Sequence, residues 1–177
     1  MRAIVLILLI ISASCNGDPI KNRSFQPETH TRSGVTVRPE AGVNVSTDAM
    51  AAIDSGLAAT FNRARCAGYT KGLFFGAYKV LLIKGEPDSQ GLPAFRVYSD
   101  AYKGTEFDKG GYFLAAGTFD EPNTVIVPEH QAHFDHLATA VGYEAEHKIL
   151  FDNDRAEYDR TRIHTATTGH PLIKDCP

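Results

Sequence analysis

Apart from one stretch at its N-terminus, this chain of 177 residues has no long apolar run. It also has no excess of basic residues and only three cysteines. Beyond its N-terminal segment, no stretch approaches the roughly 20 apolar residues that a transmembrane helix needs. Its 18 basic and 21 acidic residues give a net charge of −3, so nucleic acid is not an expected partner. Internal repeats and long low-complexity tracts are also missing. What remains is enough chain for one globular domain, with 43% apolar residues to form a core.

The long apolar run lies at the N-terminus. A short start with one positive charge precedes apolar residues 3–11, small residues 12–14 and then Cys15. A run of this length beside small residues is typical of a secretory signal peptide, and we predict one over residues 1–14. Because the cysteine follows the small residues directly, the segment resembles a bacterial lipoprotein signal. The resemblance implies lipidation of Cys15 and a cell-envelope protein held on the membrane by that lipid; secretion after cleavage at the same place is the alternative.

Residues 15–40 are polar, contain several prolines and glycines, and show no sustained periodicity. Such a composition is typical of a flexible tether. We therefore expect the lipidated cysteine and a tether over residues 15–40, followed by a single globular domain over residues 41–177.

The other two cysteines are Cys66 and Cys176. If Cys15 carries lipid, they form an even number in a compartment that permits disulfides. We expect a disulfide that ties the C-terminus to the first helix. Two buried, unpaired thiols are the alternative.

The pattern of apolar residues predicts an α+β fold. A first helix, capped by Ser46 or Thr47, is expected to run to Cys66 and to stop at Gly68. A central helix is expected from about residue 131 to 151, followed by a short C-terminal helical segment. Between the helices, strand-like runs joined by turns indicate a small, mostly antiparallel sheet of about four strands. These runs cover residues 78–83, 94–99, 112–117 and 124–127.

The central helix has one apolar face, formed by Phe134, Leu137, Ala138, Val141, Ala145 and Ile149. Glu144 lies at the edge of this arc, and Tyr143 and His147 project from the other side. We interpret Glu146 and Lys148 as ordinary surface charges.

Glu144 and His147 lie three residues apart on the helix that follows the last predicted strand. A helix, a short sheet and then a helix with this Glu and His resemble the core of zincin metallopeptidases, whose motif is His-Glu-x-x-His. The resemblance covers about residues 45–155 and implies a zincin-like fold and zinc-dependent peptidase activity. It makes Glu144 the general base and His147 a zinc ligand, and it places Tyr143 where the first histidine would be.

The missing histidine leaves the ligand set open. A phenol with a pKa near 10 is a poor zinc ligand at neutral pH, so Tyr143 is not an equivalent replacement. His136 precedes His147 by eleven residues, a separation of about 16 Å along a helix, which is too far for a shared ion. Glu144 and His147 can instead act together as Glu-x-x-His ligands with a further ligand from downstream. The downstream candidates are Asp154, His164 and His170.

A separate group of histidines, His130, His133 and His136, lies at the start of the central helix. Histidines three apart on a helix share one side and can bind a metal. The alternative is that they are surface histidines that titrate near pH 6.5 and bind nothing.

Two functional hypotheses follow. The first is a cell-envelope lipoprotein with a zinc-dependent hydrolase domain that acts on a peptide or protein. The second is a catalytically inactive zincin-like lipoprotein that binds a partner or has a structural role, because Tyr143 removes a ligand that catalysis needs.

Overall fold

The computed structural model describes residues 20, 22–98, 112–161 and 172–173. Its helices are α1 (Thr47–Cys66), α2 (Phe134–Asn153) and α3 (Arg155–Thr161), with a short 3-10 helix at Phe75–Ala77. Its strands are β1 (Thr29–His30), β2 (Thr36–Pro39), β3 (Lys79–Ile83), β4 (Glu86–Pro87), β5 (Pro93–Tyr98), β6 (Tyr112–Ala115), β7 (Thr118–Asp120) and β8 (Thr124–Pro128). The α+β class is as predicted.

The strands form two sheets. The larger sheet has the order β1-β2-β3-β8-β7, and the smaller has the order β4-β5-β6. In the larger sheet β2, β3 and β8 are parallel, while the edge strands β1 and β7 are antiparallel to their neighbours. Helix α1 makes the crossover that a parallel β2–β3 pair requires. Most strand pairings are antiparallel, as predicted, but the centre of the larger sheet is parallel.

The prediction of about four strands is wrong. The four predicted runs correspond to β3, β5, β6 and β8, and the structure adds four more strands. Three of these, β1, β4 and β7, contain only two or three residues. Such strands are too short to show an alternating pattern, and their sheet neighbours define them instead.

The predicted tether is also wrong for its described part. Strand β2 lies inside the larger sheet, and its register pairs Val37 with Val80 of β3. Val35 and Val37 are fully buried. The folded domain therefore includes residues 29–40 and does not begin at residue 41. Composition was misleading here because few residues of this polar segment are apolar, and Val35 and Val37 are the ones that enter the core beneath the helices.

The larger sheet is covered on both faces. One face packs against α1 and α2 through Val37, Val80, Leu82, Val125 and Val127. The other face packs against the smaller sheet, where Leu81, Ile83 and Ile126 contact Phe95 and Val97. The result is three layers in the order helices, larger sheet, smaller sheet.

Helix α1 has the predicted bounds. The Ser46 side chain accepts a hydrogen bond from the backbone N–H of Ala49 at 3.1 Å, which caps the helix start. At the other end, Cys66 takes part in a disulfide. Its predicted partner, Cys176, lies outside the described residues, so that pairing stays a prediction.

Helices α1 and α2 cross with their backbones in close approach. A Cβ atom at Gly56 would lie only 2.1 Å from the carbonyl oxygen of Ala138. The Thr60 hydroxyl donates to the carbonyl of Gly142 at 3.0 Å. This crossing fixes the rotation of α2 about its axis, and therefore the directions of Glu144 and His147. Within the described part of the chain, no helix is both long and apolar enough to span a membrane.

Candidate active site

Helix α2 is buried on nearly every side from Val141 to Leu150. It begins three residues later and ends two residues later than predicted, and its apolar face packs on the sheet as expected. The exposed fractions of four polar residues are also small, 8% for Glu144, 0% for Glu146, 5% for His147 and 7% for Lys148. The interpretation of Glu146 and Lys148 as surface charges is therefore wrong. Lys148 donates to Asp152 at 2.8 Å and to the Pro122 carbonyl at 3.2 Å.

Glu144 lies beneath the turn between β6 and β7. A Cβ atom at Gly117 in this turn would stand 2.8 Å from Cγ of Glu144 and 2.9 Å from its Oε1. Among the described residues, its only polar side-chain partner is His147, whose Nε2 is 3.9 Å from Oε2 of Glu144. That distance is too long for a hydrogen bond. Burial, and then the charge of Glu146, raises the pKa of Glu144 to about 8, so the carboxyl group holds a proton at neutral pH.

His147 is surrounded by aromatic rings. The Phe119 ring stacks nearly parallel to the imidazole, with centroids 6.4 Å apart and an angle of 8°. Tyr143 and Tyr158 both approach edge-on at 87°, with centroids 6.0 Å and 6.2 Å away. These rings come from β7, α2 and α3, so three elements determine the position of one imidazole.

Tyr143 precedes Glu144 on helix α2 and lies beside His147. Its ring packs on His147, and it also lines a groove of about 340 Å³ between α1 and α2. The rest of the groove is lined mainly by small residues together with the Arg63–Glu146 ion pair.

Glu146 provides a contrast within the same helix. Its Oε1 accepts hydrogen bonds from the Arg63 guanidinium at 2.6 Å and 3.2 Å. Its Oε2 accepts from the backbone N–H groups of Leu172 and Ile173 at 2.6 Å and 3.2 Å. Burial raises the pKa of Glu146, and Arg63 opposes that shift. This carboxylate ties α1, α2 and residues 172–173 together and is structural.

The described residues bring two possible metal donors together. A separation of 3.9 Å between Glu144 and His147 is close to the roughly 3.4 Å between two ligands of a tetrahedral zinc with bonds of about 2.1 Å. Asp154 does not join them, because its Oδ1 caps α3 by accepting from the N–H of Glu157 at 3.0 Å. It is also seven residues, or about 10 Å along the helix, from His147.

The remaining candidate ligands, His164 and His170, lie outside the described residues. Within the residues that the structure describes, no group of three or more His, Cys, Asp or Glu is arranged to hold a metal. The pair therefore fits two ligand positions and needs at least one more.

The three histidines around the start of α2 do not contribute to this site. His133 and His136 are exposed, with ring centroids 5.9 Å apart. His130 is buried, and its Nδ1 lies 2.9 Å from the Pro128 carbonyl oxygen. Burial lowers the pKa of His130, opposed by that hydrogen bond.

Several residues of the site were not found by sequence reasoning. Gly117 and Phe119 belong to a three-residue strand and its preceding turn, which have no pattern of their own. Tyr158 lies in α3, and its contact with His147 depends on how α3 folds back. A helix with four buried polar residues within five positions has no sequence signature that separates it from a solvated one.

Comparisons of the chain with protein-family models, with curated proteins and with solved structures found no match. The chemistry of Glu144 and His147 and the order of the elements around them are therefore the evidence on function.

Proposed function

We propose that this domain is a zincin-like hydrolase of the cell envelope in which Glu144 and His147 are the working groups. The observation that carries the proposal is the Glu144 side chain, which is 8% exposed, lies beside His147 and accepts no hydrogen bond from the described residues. A largely buried carboxyl group with a raised pKa is typical of a functional site. Glu146, two residues away, has the hydrogen bonds that a structural carboxylate needs.

The order of the elements supports a zincin-like fold. Helix α1, the larger sheet and helix α2 follow one another as in the zincin core, and α2 begins six residues after β8 ends. The motif residues lie in the middle of α2, where the α1 crossing and the β6–β7 turn both constrain them. The fold supplies a rigid support for a two-residue site, which is what precise chemistry requires.

The proposed chemistry is proton transfer during hydrolysis of a peptide or protein of the envelope. Bound zinc would supply a positive charge that polarises a carbonyl group and activates water. With its raised pKa, Glu144 is suited to give a proton to a leaving amine near neutral pH, and a nearby cation would favour its ionised, basic form. His147 would be a ligand, held in place by its aromatic neighbours.

The proposal needs further ligands from the C-terminal segment, because His147 is the one zinc ligand that it takes from the described residues. The candidates are His164 and His170, which lie outside the described residues. Attachment to the membrane would come through a lipid on Cys15.

The test is zinc content and hydrolysis by the mature protein, purified from zinc-supplemented medium. We expect stoichiometric zinc in the native protein, and loss of zinc in His147→Ala. His136→Ala is the matched control, since this exposed histidine of the same helix should leave the zinc in place. Hydrolysis of a mixed peptide substrate should stop when a chelator removes the metal and return when zinc is added. Native protein without zinc and without hydrolysis would overturn the proposal.

The second candidate is a non-catalytic zincin-like envelope protein. Tyr143 favours it, because its ring packs edge-on against His147 where a second imidazole ligand would be expected. On this hypothesis the protein binds no zinc, and His147→Ala changes its stability only.

A further inference from the structure

Tyr158 connects α3 to the candidate site. It is 4% exposed, and its ring lies edge-on to His147 with centroids 6.2 Å apart. Its hydroxyl donates a hydrogen bond to Oε1 of Glu121 at 2.8 Å. Glu121 belongs to the turn between β7 and β8, so the tyrosine bridges α3 and this turn across the imidazole.

The bridge has further support on both sides. Phe119, which stacks on His147, also meets Tyr158 edge-on at 6.2 Å. The Arg155 guanidinium lies 5.0 Å from the centre of the Tyr158 ring and 3.6 Å from Glu121. Tyr158 is thus held at its ring face and at its hydroxyl.

We propose that Tyr158, anchored by Glu121, is a positioning residue that fixes the plane of the His147 imidazole. An imidazole has a broad, roughly two-fold preference for rotation about its Cβ–Cγ bond, so its rotamer alone does not select one plane. Phe119 contacts the face of the ring and Tyr158 contacts it at a right angle, and together they restrict that rotation. The restriction keeps Nε2 directed toward Glu144, 3.9 Å away.

A phenylalanine at position 158 would lack the hydroxyl group that donates to Glu121. Without it, the ring would still fill the same space, but the hydrogen bond to Glu121 would be lost and the Arg155–Glu121 ion pair would be left to hold α3 to the β7–β8 turn. The catalytic importance of His147 rests on the proposed function, whereas the orientation of its ring does not. The two ideas can therefore fail separately.

The test is NMR of the histidine rings in the full mature protein, with His147 assigned by the loss of its signals in His147→Asn. In Tyr158→Phe and in Glu121→Ala we expect the ring ¹H and ¹⁵N resonances of His147 to shift. The signals of His133 and His136 should stay in place.

Tyr78→Phe is the matched control. Tyr78 is 1% exposed and also donates one hydrogen bond of 2.8 Å, to the Gly72 carbonyl, but it does not contact the His147 ring. Tyr158→Phe and Tyr78→Phe should lower the melting temperature alike, while only the first moves the His147 signals. If the His147 ring resonances in Tyr158→Phe equal those of the native protein, the role of Tyr158 is structural only and the proposal is overturned. This result would hold whether or not the protein binds zinc.

Discussion

Glu144 and Glu146 are both buried on helix α2, yet among the described residues only Glu146 accepts hydrogen bonds on its carboxylate oxygens. Two residues along a helix correspond to a rotation of about 200° about its axis, so their side chains point to nearly opposite sides. Glu146 therefore faces Arg63 of α1, whereas Glu144 faces the β6–β7 turn and His147. The same residue type thus has a structural role on one side of the helix and a candidate chemical role on the other.

Substitution by glutamine should separate the two glutamates. At neutral pH the Glu144 carboxyl group is protonated, so Glu144→Gln keeps its charge state and nearly its shape, and we expect the free energy of unfolding to change by less than about 1 kcal/mol. Hydrolysis should be lost. In Glu146→Gln the charge opposite Arg63 disappears and the bonds to residues 172–173 weaken, so the free energy of unfolding should fall by about 2 kcal/mol, with Arg63 partly solvated.

Urea unfolding at pH 7 and a hydrolysis assay on both variants make this measurement. The assignment of roles would be reversed by a stable, inactive Glu146→Gln together with a strongly destabilised Glu144→Gln.

The raised pKa of Glu144 predicts the pH dependence of stability. In the unfolded chain this carboxyl group ionises near its ordinary value of 4.5, whereas in the folded protein it keeps its proton up to about pH 8. Between these values the unfolded state binds fewer protons, so the free energy of unfolding falls as pH rises, by at most about 1.4 kcal/mol per pH unit. The stabilisation is complete below pH 4.5 and lost above about 8.

Two other groups with shifted pKa values determine the pH range in which this slope should be measured. Burial also raises the pKa of Glu146, which adds to the same trend. The lowered pKa of His130 acts in the opposite direction, but only below its ordinary value of 6.5. Unfolding at a series of pH values from about 7 to 8.5 should therefore show stability falling in the native protein and a flatter profile in Glu144→Gln. Equal slopes in the two proteins would show that another group titrates.

Local signals in the sequence identified the helices and the motif pair. Ser46 marks the start of α1, and the three-residue spacing of Glu144 and His147 indicates the candidate site. The environment of that pair was not predictable, because it depends on contacts between distant parts of the chain. Arg63 and Glu146 are 83 residues apart, and Tyr158 and Glu121 are 37 apart. Strand β2 was missed for the same reason, since the neighbouring β3 defines it.

Lipidation of Cys15 is a prediction that the described residues do not test. Native protein expressed in a bacterial host should incorporate labelled fatty acid and fractionate with membranes. Cys15→Ser should lose the label and the membrane association, because the lipid supplies the proposed attachment. Cys66→Ser is the control, since this cysteine lies within the folded domain and should leave labelling unchanged. Label in Cys15→Ser at the native level would contradict the prediction.

The disulfide at Cys66 is expected to pair with Cys176. A loop of this length, about 110 residues, gives a stabilisation of about 4 to 5 kcal/mol when closed. Cys176→Ser should therefore lower the free energy of unfolding by about that amount and release one free thiol, which a thiol reagent measures. Peptide mapping under non-reducing conditions should recover the two cysteines in one linked fragment. Recovery of Cys66 linked to Cys15 would contradict both this pairing and the lipidation.

Gly117 should be required for the position of Glu144. Its Cβ in Gly117→Ala would lie 2.8 Å from Cγ and 2.9 Å from Oε1 of Glu144, closer than real Cβ contacts allow. Either the turn or the carboxyl group must move, and we expect a loss of about 1 to 3 kcal/mol in stability. Because a displacement of about 1 Å can reduce a rate by about a hundredfold, hydrolysis should fall by more than stability alone explains.

Gly76→Ala is the control for this change. A Cβ atom at Gly76 would meet only ring carbons of Phe74 at 3.8 Å, an ordinary contact, so its stability and activity should be close to native. Thermal unfolding and initial rates of all three proteins at one pH provide the comparison. If Gly117→Ala hydrolyses the substrate as fast as Gly76→Ala, the β6–β7 turn does not determine the position of the Glu144 carboxyl group. Glu144 would then owe its place to His147 and to the α1–α2 crossing, where Gly56 and Gly142 bring the two helices together.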